Sequence, residues 1–362
     1  MNGDEGQRAG GGRRGRGVTL ADVAKAAGVS KTTVSNAYNR PDQLSAQLRG
    51  RVLDVASELG YPGPDPIAVT FSRRRAGAIG LVFDDPLTFA LTDPAEVLFV
   101  TGIGEVCERA GVGLAFIPLG PHEDLIRQTL VDGFICHCDI DGDSRVDVAI
   151  SRGLPVVVVD GPARPGAGHV GVEDREGAAA AARHLLELGH RRLAVLTASL
   201  HGDGFSGRAD LARQETARYH VSRERLGGYR AEIEGAGLRW ADVPVVEASP
   251  YGREAAYHAC AQLLDSSDRP TGLLAASDEF ALGALRAAAE RGIAVPEQLS
   301  IVGFDDAPPA AWSTPALTTI RQPHGEKGQA AAEQLLGLRP IEDVTYSTEL
   351  VVRSSTAPPP IT

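Results

Sequence analysis

At 362 residues, 43% hydrophobic and 23% charged, the chain is long enough for two or three domains with sizeable cores. No run approaches the roughly 18 apolar residues of a membrane helix, and residues 1–17 lack the apolar segment of a secretory signal. Four cysteines (Cys107, Cys136, Cys138, Cys260) are too few and too scattered for a disulfide framework, so a soluble cytoplasmic protein is expected. The net charge of −11 argues against a nucleic-acid partner only until it is divided: residues 1–75 carry 12 Lys/Arg and 7 Asp/Glu, the remainder 24 and 40. That asymmetry points to a small basic module able to approach phosphates, attached to an acidic body that is not.

Residues 1–17 are rich in Gly and Arg and are expected to be disordered. Their G-x-G-x-x-G match (Gly10, Gly12, Gly15) has no strand before it and no helix after it, so it is no dinucleotide fingerprint. From Val18 to Tyr61 the apolar period is helical. Leu20, Val23, Ala24 and Ala27 share one face, ended by Gly28, and Ser30 stands as an N-cap before Val34 and Ala37. After Ser45 a third helix repeats Leu48, Val52, Val55 and Leu59, with Gly60 past its end. Pro62, Pro64 and Pro66 break the pattern, and Arg73, Arg74 and Arg75 close a linker over residues 62–75.

From Ala76 onward, short apolar runs alternate with helical stretches. Strands are expected at Ala78–Phe83, Gly113–Ile117, Val131–Cys136, Pro155–Val159, Leu193–Thr197, Gly272–Ala276 and Ile301–Phe304. Helices fit between them at Pro94–Ala110, Glu176–Leu188, Arg223–Gly235, Arg253–Leu264, Phe280–Arg291 and Gly325–Leu336. Apolar runs of four to six residues without alternation mark strands buried on both faces. The fold class is therefore a small all-α helix-turn-helix headpiece followed by an α/β body of two doubly wound parallel-sheet lobes. The polar, His- and Arg-rich segment 200–221 reads as an inserted loop.

In the first module, Ala24 is small enough for a steep helix crossing and Gly28 is free to take the positive φ of a tight turn. The second helix then presents Lys31, Thr32, Ser35 and Asn36 on one face. Lys donates to guanine acceptors and Asn pairs bidentately with adenine, so the face suits a major groove. A three-helix protein-interaction module is the alternative. In the body, polar groups gather at strand ends: Asp84 and Asp85, Asp160, Ser277 and Asp278, Asp305 and Asp306. Carboxylates there, with an Arg and an aromatic platform, suit a polyol. Asp174 and Asp278 also precede helical stretches and fit a capping role equally well.

These motifs resemble the LacI/GalR family of transcriptional regulators. The family's V-A-x-x-A-G-V-S-x-x-T-V-S runs from Val23 to Ser35, and Tyr61 matches the end of its third helix. Ser-Ile-Val-Gly-Phe-Asp-Asp (300–306) and Thr-Pro-Ala-Leu-Thr-Thr-Ile-Arg-Gln-Pro (314–323) match its periplasmic-binding-protein-like body, and the likeness spans nearly all of residues 18–356. The resemblance implies base contacts from Lys31, Thr32 and Asn36, with Ser30, Ser35 and Asn39 completing the DNA-facing set. It also implies a hinge helix in which Ala68 and Phe71 stand at the Ala-x-x-Leu positions, Phe71 being the minor-groove wedge. A plain linker with Phe71 packed on the body is the alternative.

Effector contacts implied by the likeness fall on Asp160, Arg225, Ser277 and Asp305, with Phe89 and Thr92 as further pocket candidates. Ser277 departs from the Asn usual there. Trp312 fits either stacking or core. The likeness further implies interleaved lobes, with 76–172 receiving 324–345 and the other lobe made by 173–320 and the last strand, over a domain ending at 356 before a Pro-rich tail (357–362). The partners it implies are double-stranded operator DNA, a sugar-like small molecule and a second copy of the chain. A C-terminus without leucine heptads fits a homodimer that lacks a tetramerising helix.

Enzyme readings are weaker. Adjacent carboxylates on a strand point to opposite sides and seldom form a catalytic dyad. Cys136-His137-Cys138 lacks the spaced second half of a zinc site. No Walker A segment, nucleophile elbow or H-E-x-x-H is present. No enzyme activity, cofactor, metal or membrane partner is expected.

Overall fold

The computed structural model describes residues 17–65, 75–83, 86–118, 124–137, 140–142 and 144–360. The chain divides into two units, residues 1–76 and 77–362. Ala68, Phe71, Asp84, Asp85 and Cys138 lie outside the described residues.

The first unit holds three helices, α1 (Leu20–Ala27), α2 (Lys31–Asn39) and α3 (Ala46–Glu58). Thr19 opens α1 with a capping box: its side chain accepts from the Asp22 N–H, and the Asp22 carboxylate accepts from the Thr19 N–H at 2.9 Å. Gly28 closes α1 at φ +66°, a left-handed conformation that costs glycine no steric strain, and the chain turns there into α2. The Ser30 hydroxyl caps α2 by accepting from the Thr33 N–H at 3.0 Å. Val23, Ala24, Ala27, Val34, Ala37, Val52 and Ala56 form the core. Tyr61 lies three residues beyond α3 and packs edge-on against Tyr38, with ring centroids 6.0 Å apart.

The second unit is two-lobed. Its first lobe contains β1 (Ala78–Phe83), α4 (Leu87–Ala90), α5 (Pro94–Ala110), β2 (Gly113–Ile117), α6 (Asp124–Gln128), β3 (Phe134–His137), α7 (Ser144–Ser151), β4 (Val156–Val159) and β5 (Gly168–Val172). The second contains α8 (Asp174–Glu187), β6 (Leu193–Thr197), β7 (Gly207–Arg208), α9 (Leu211–Glu215), α10 (His220–Gly235), β8 (Val245–Glu247), α11 (Arg253–Leu264), β9 (Gly272–Ala275), α12 (Asp278–Glu290), β10 (Ser300–Val302), α13 (Pro308–Trp312) and β11 (Thr319–Arg321). The chain then returns to the first lobe with α14 (His324–Leu335) and β12 (Asp343–Tyr346), and ends on β13 (Glu349–Val351) paired with β11.

The first sheet has the order β12-β5-β4-β3-β1-β2, parallel throughout. The second has the order β10-β9-β6-β8-β7, with only the edge strand β7 antiparallel. In each, the first strand (β1 or β6) lies between its successors, which makes it the switch point where a doubly wound sheet opens a crevice at the strand carboxyl ends. Helices α5 and α14 cross very closely. A Cβ on Gly102 would meet the Gly325 carbonyl at 2.1 Å, and one on Gly328 would meet the Phe99 carbonyl at 2.2 Å. That approach carries the first turns of both helices, with Glu96 and Lys327, to the crevice end of the first sheet.

Several expectations need correction. Segment 200–221 is not simply a loop; β7 pairs with β8 and α9 follows it. Strands β5, β8, β11 and β12 add to the expected set, β13 is the last strand expected in the second lobe, β3 extends to His137, and β10 stops at Val302. Asp174 and Asp278 are the first residues inside their helices rather than caps, and Ser277 caps α12 instead. Trp312 neither stacks nor joins the core; it is 78% exposed. The segment after residue 356 begins tied down, because Ala357 bonds Ser300 through both its N–H and its carbonyl, and the carbonyl also meets His190.

Candidate functional site

On α2, Lys31 and Thr32 are exposed at the helix start, while Ser35, Asn36 and Asn39 are half-buried on the same helix. Asn36 donates to Gln43 at 3.3 Å and Asn39 donates to Ser35 at 3.3 Å. The Gln43 contact orients the Asn36 amide, and sequence reading missed it. Ser30 is occupied as the α2 cap. The arrangement is a helix-turn-helix whose second helix presents Lys, Thr and Asn from its N-terminal turns, the geometry of a groove-reading helix.

The second unit holds a cavity of about 350 Å³ between its lobes, within the usual range of ligand sites. Phe89, Asp160, Arg225 and Asp305, all anticipated, line it. Thr92 and Ser277 do not. The Thr92 hydroxyl donates back to the Thr88 and Phe89 carbonyls, and the buried Ser277 hydroxyl accepts from the Phe280 N–H at 3.2 Å. The remaining wall was not read from sequence: Asp93, Glu96, Tyr251, Gln322 and His324, with a stretch from Tyr219 to Ser222.

A continuous polar chain runs beneath the cavity from one lobe to the other. Glu96 lies 3.4 Å from His137, which lies 3.3 Å from Asp160. Asp160 accepts from the buried Lys327 ammonium, which also donates to Gln322 at 2.7 Å, and Gln322 donates to Asp305 at 2.7 Å. Burial would raise the Asp160 carboxyl, but Lys327 and His137 outweigh it and hold it well below the ordinary carboxylate range. Burial pushes the Glu96 carboxyl up to about 7 despite His137. Burial also raises Asp305 to about 7, with Asp93 adding to the rise against Arg225. For His137, burial lowers the imidazole but Glu96 and Asp160 bring it above its usual value; for His324, burial and then Lys327 keep it well below.

Arg225 is fixed from three sides. It donates to Asp174 at 2.8 Å and to the Ala276 carbonyl, and its guanidinium lies 3.6 Å over the Phe304 ring. Asp160 (φ +56°) and Asp305 (φ +123°) both hold left-handed backbone at strand ends, a conformation uncommon for residues other than glycine and frequent at ligand sites. Asp306 turns away from Asp305 to Arg321 at 2.7 Å and to Arg353, so the two carboxylates form no dyad. Among the described residues the buried Asp160 Oδ1 has no hydrogen-bond partner; Glu96 Oε2 and His324 Nε2 make no hydrogen bond either, but they face His137 Nδ1 at 3.4 Å and Asp305 Oδ1 at 3.8 Å. Asp160 Oδ1 therefore keeps hydrogen-bonding capacity for a water or a ligand. His137 is held by carboxylates, and among the described residues no group of His, Cys, Asp and Glu is arranged to hold a metal. No helix among them is long and apolar enough to cross a membrane.

A helix-turn-helix unit and a two-lobed body with a polar crevice define a class, the DNA-binding transcriptional regulators with a periplasmic-binding-protein-like domain. Residues 19–63 match the family described as bacterial regulatory proteins, lacI family, and residues 182–356 match the periplasmic binding protein-like domain. The chain belongs to the LacI family. It is 40% identical to an HTH-type transcriptional regulator of Mycolicibacterium smegmatis over 95% of this chain and 98% of that one. Among solved structures it is similar to the lac repressor dimer bound to operator and the anti-inducer ONPF (25% identity, TM-score 0.75, 94% of this chain and 100% of that one). It is also similar to the complex of the transcriptional regulator CelR with cellobiose (27%, TM-score 0.65, 93% and 99%).

Proposed function

We propose that this chain is a ligand-responsive repressor that binds a palindromic operator as a homodimer in the cytoplasm and senses a sugar or sugar derivative between the lobes of its body. The observation that carries the ligand half is the interlobe cavity walled by Arg225, Asp305, Glu96 and His324, where the buried Asp160 Oδ1 has no hydrogen-bond partner among the described residues. A sugar hydroxyl satisfies an acceptor such as Asp160 Oδ1, and the Phe89 and Tyr251 rings, which meet edge to face across the lobes with centroids 4.6 Å apart, suit the C–H face of a sugar. The similar CelR structure holds cellobiose, which supports the same class of ligand here.

For DNA, Lys31, Thr32 and Asn36 are the base readers, Ser30, Ser35 and Asn39 support them, and Phe71 with Ala68 forms the minor-groove wedge. Ligand binding changes the angle between the lobes, and operator affinity follows from the ligand's unequal affinity for the two states. Calorimetric titration of the full chain with ribose, glucose and cellobiose tests the ligand half. Binding of at least one is expected, and binding that persists unchanged in Arg225→Ala would place the site elsewhere.

A further inference from the structure

Asn36 carries a neutral amide, and the way that amide faces decides which base it can read. In the major groove adenine offers its N7 acceptor and N6 donor, so an amide meets it with one N–H and its oxygen. Guanine offers two acceptors, N7 and O6, and calls for both N–H groups. An amide free to turn over serves either base, so its selectivity depends on what holds it from the protein side.

That partner is Gln43. The chain leaves α2 at Arg40, whose N–H donates to the Asn36 carbonyl at 2.9 Å, and passes through a tight turn over Pro41–Gln43. The turn is pinned at both ends: the Gln43 N–H donates to the Arg40 carbonyl at 3.1 Å, and the half-buried Leu44 packs on the headpiece core. Helix α2 is itself tied to α3, where the Arg49 side chain donates to the Ala37 carbonyl at 3.2 Å. From this fixed turn the exposed Gln43 side chain reaches back seven residues, and its Oε1 accepts from Asn36 Nδ2 at 3.3 Å. One Asn36 N–H is thereby taken. The other N–H and Oδ1 then set what the base must offer, a donor beside an acceptor, which adenine supplies. Against guanine, Oδ1 would face O6, acceptor against acceptor.

We propose that Gln43 is a positioning residue that makes Asn36 a reader of adenine rather than guanine, so that preference at one operator position rests on two side chains, one of them outside the recognition helix. The inference rests on the DNA reading proposed above and is independent of the ligand site. Gln43 needs no base contact of its own. A residue that only accepts keeps the Asn36 amide as it stands, and one that only donates turns it over.

The test uses the full chain and an operator recovered from a random duplex pool, with all four base pairs placed in turn at each position of a half-site and affinities compared at one salt concentration. In the unmodified protein one position is expected to prefer adenine over guanine by about tenfold, the worth of a bidentate contact, and Asn36→Ala to erase that preference. Gln43→Ala is expected to narrow it about fivefold, the worth of one hydrogen bond. Gln43→Glu, which only accepts, keeps the adenine preference while its charge weakens binding to every duplex alike. Gln43→Lys, which only donates, draws the Asn36 oxygen toward itself and moves the preference to guanine, and adding Asn36→Ala abolishes that guanine preference. A merely structural role for Gln43 would weaken all four duplexes together and leave their ratio alone. That result, or a guanine preference of Gln43→Lys that survives Asn36→Ala, overturns the proposal while Asn36 stands as a base reader. Selectivity unchanged at every position in Asn36→Ala, or a pool that yields no operator, overturns the DNA reading and this inference with it.

Discussion

Replacing Lys327 by Met exposes how the ligand crevice is held together. Lys327 is 1% exposed, and its ammonium donates to Asp160 and, at 2.7 Å, to Gln322. Methionine preserves the stem but leaves the Asp160 carboxylate in a buried site with His137 at 3.3 Å. Removing one partner of a buried pair costs about 3–5 kcal/mol, because the remaining charge is uncompensated, out of about 5–15 kcal/mol for a typical domain. In the unmodified protein the Asp160 carboxyl is depressed, so its stabilisation is complete above the unfolded carboxylate value and is lost only as pH falls toward the folded one. In Lys327→Met burial prevails, the carboxyl rises, and the penalty shrinks as acid protonates it. Urea unfolding near pH 7.5 and near pH 5.5 reads both effects, and adding Asp160→Asn should recover most of the loss. A loss below about 1 kcal/mol at the higher pH, or a double variant no more stable than the single, refutes the reasoning.

Three further outcomes are expected. Glu96, raised to about 7 chiefly by burial, is favoured protonated in the fold, so its ionisation removes stability as pH climbs from the ordinary carboxylate range toward 7; Glu96→Gln should flatten that decline in melting temperature, and parallel pH slopes in the two proteins would contradict it. Asn36→Ala should lose about 1–3 kcal/mol of discrimination at one base position of the selected operator, measured by single-base substitution; unchanged selectivity removes Asn36 from the base readers. Arg225→Ala leaves Asp174 buried without the cation that now meets it at 2.8 Å, so it should lower stability by about 3 kcal/mol and abolish the ligand response of operator binding; a retained response would show that Arg225 does not touch the ligand.

The headpiece was legible because each of its signals is local. Gly28 at the turn, Ser30 at the cap and the spacing of Val23, Ala27, Val34 and Val52 fall where the chain uses them. The buried strands were legible for the same reason; Val156–Val159 is an uninterrupted apolar run buried at every residue. Edge and crossover strands were not. Asp343–Tyr346 alternates exposed and half-buried residues on a sheet edge, and Gly168–Val172 contains two glycines and a histidine, so neither reads as an apolar run.

At the site, carboxylates at strand ends announced Asp160 and Asp305, whereas the partners that set their charge come from elsewhere in the chain. Lys327, His137 and Gln322 are adjacent only after α14 returns from the second lobe to pack on α5. One signal for Lys327 was present. It shares a helical stripe with Ala331 and Leu335, all buried, and a lysine on an apolar stripe needs a buried counter-charge. The Ser277 hydroxyl caps α12 rather than lining the cavity, because a hydroxyl directly before a helix is drawn to the free backbone N–H groups there.

The central claim is that one chain reads DNA and answers to a small molecule. Selection of bound duplexes from a random pool by the full chain, near physiological salt, with and without a mixture of ribose, glucose and cellobiose, tests it most directly. Enrichment of a palindrome of two half-sites is expected, with a retention that changes when the sugars are added. Failure to enrich any sequence under either condition would contradict it.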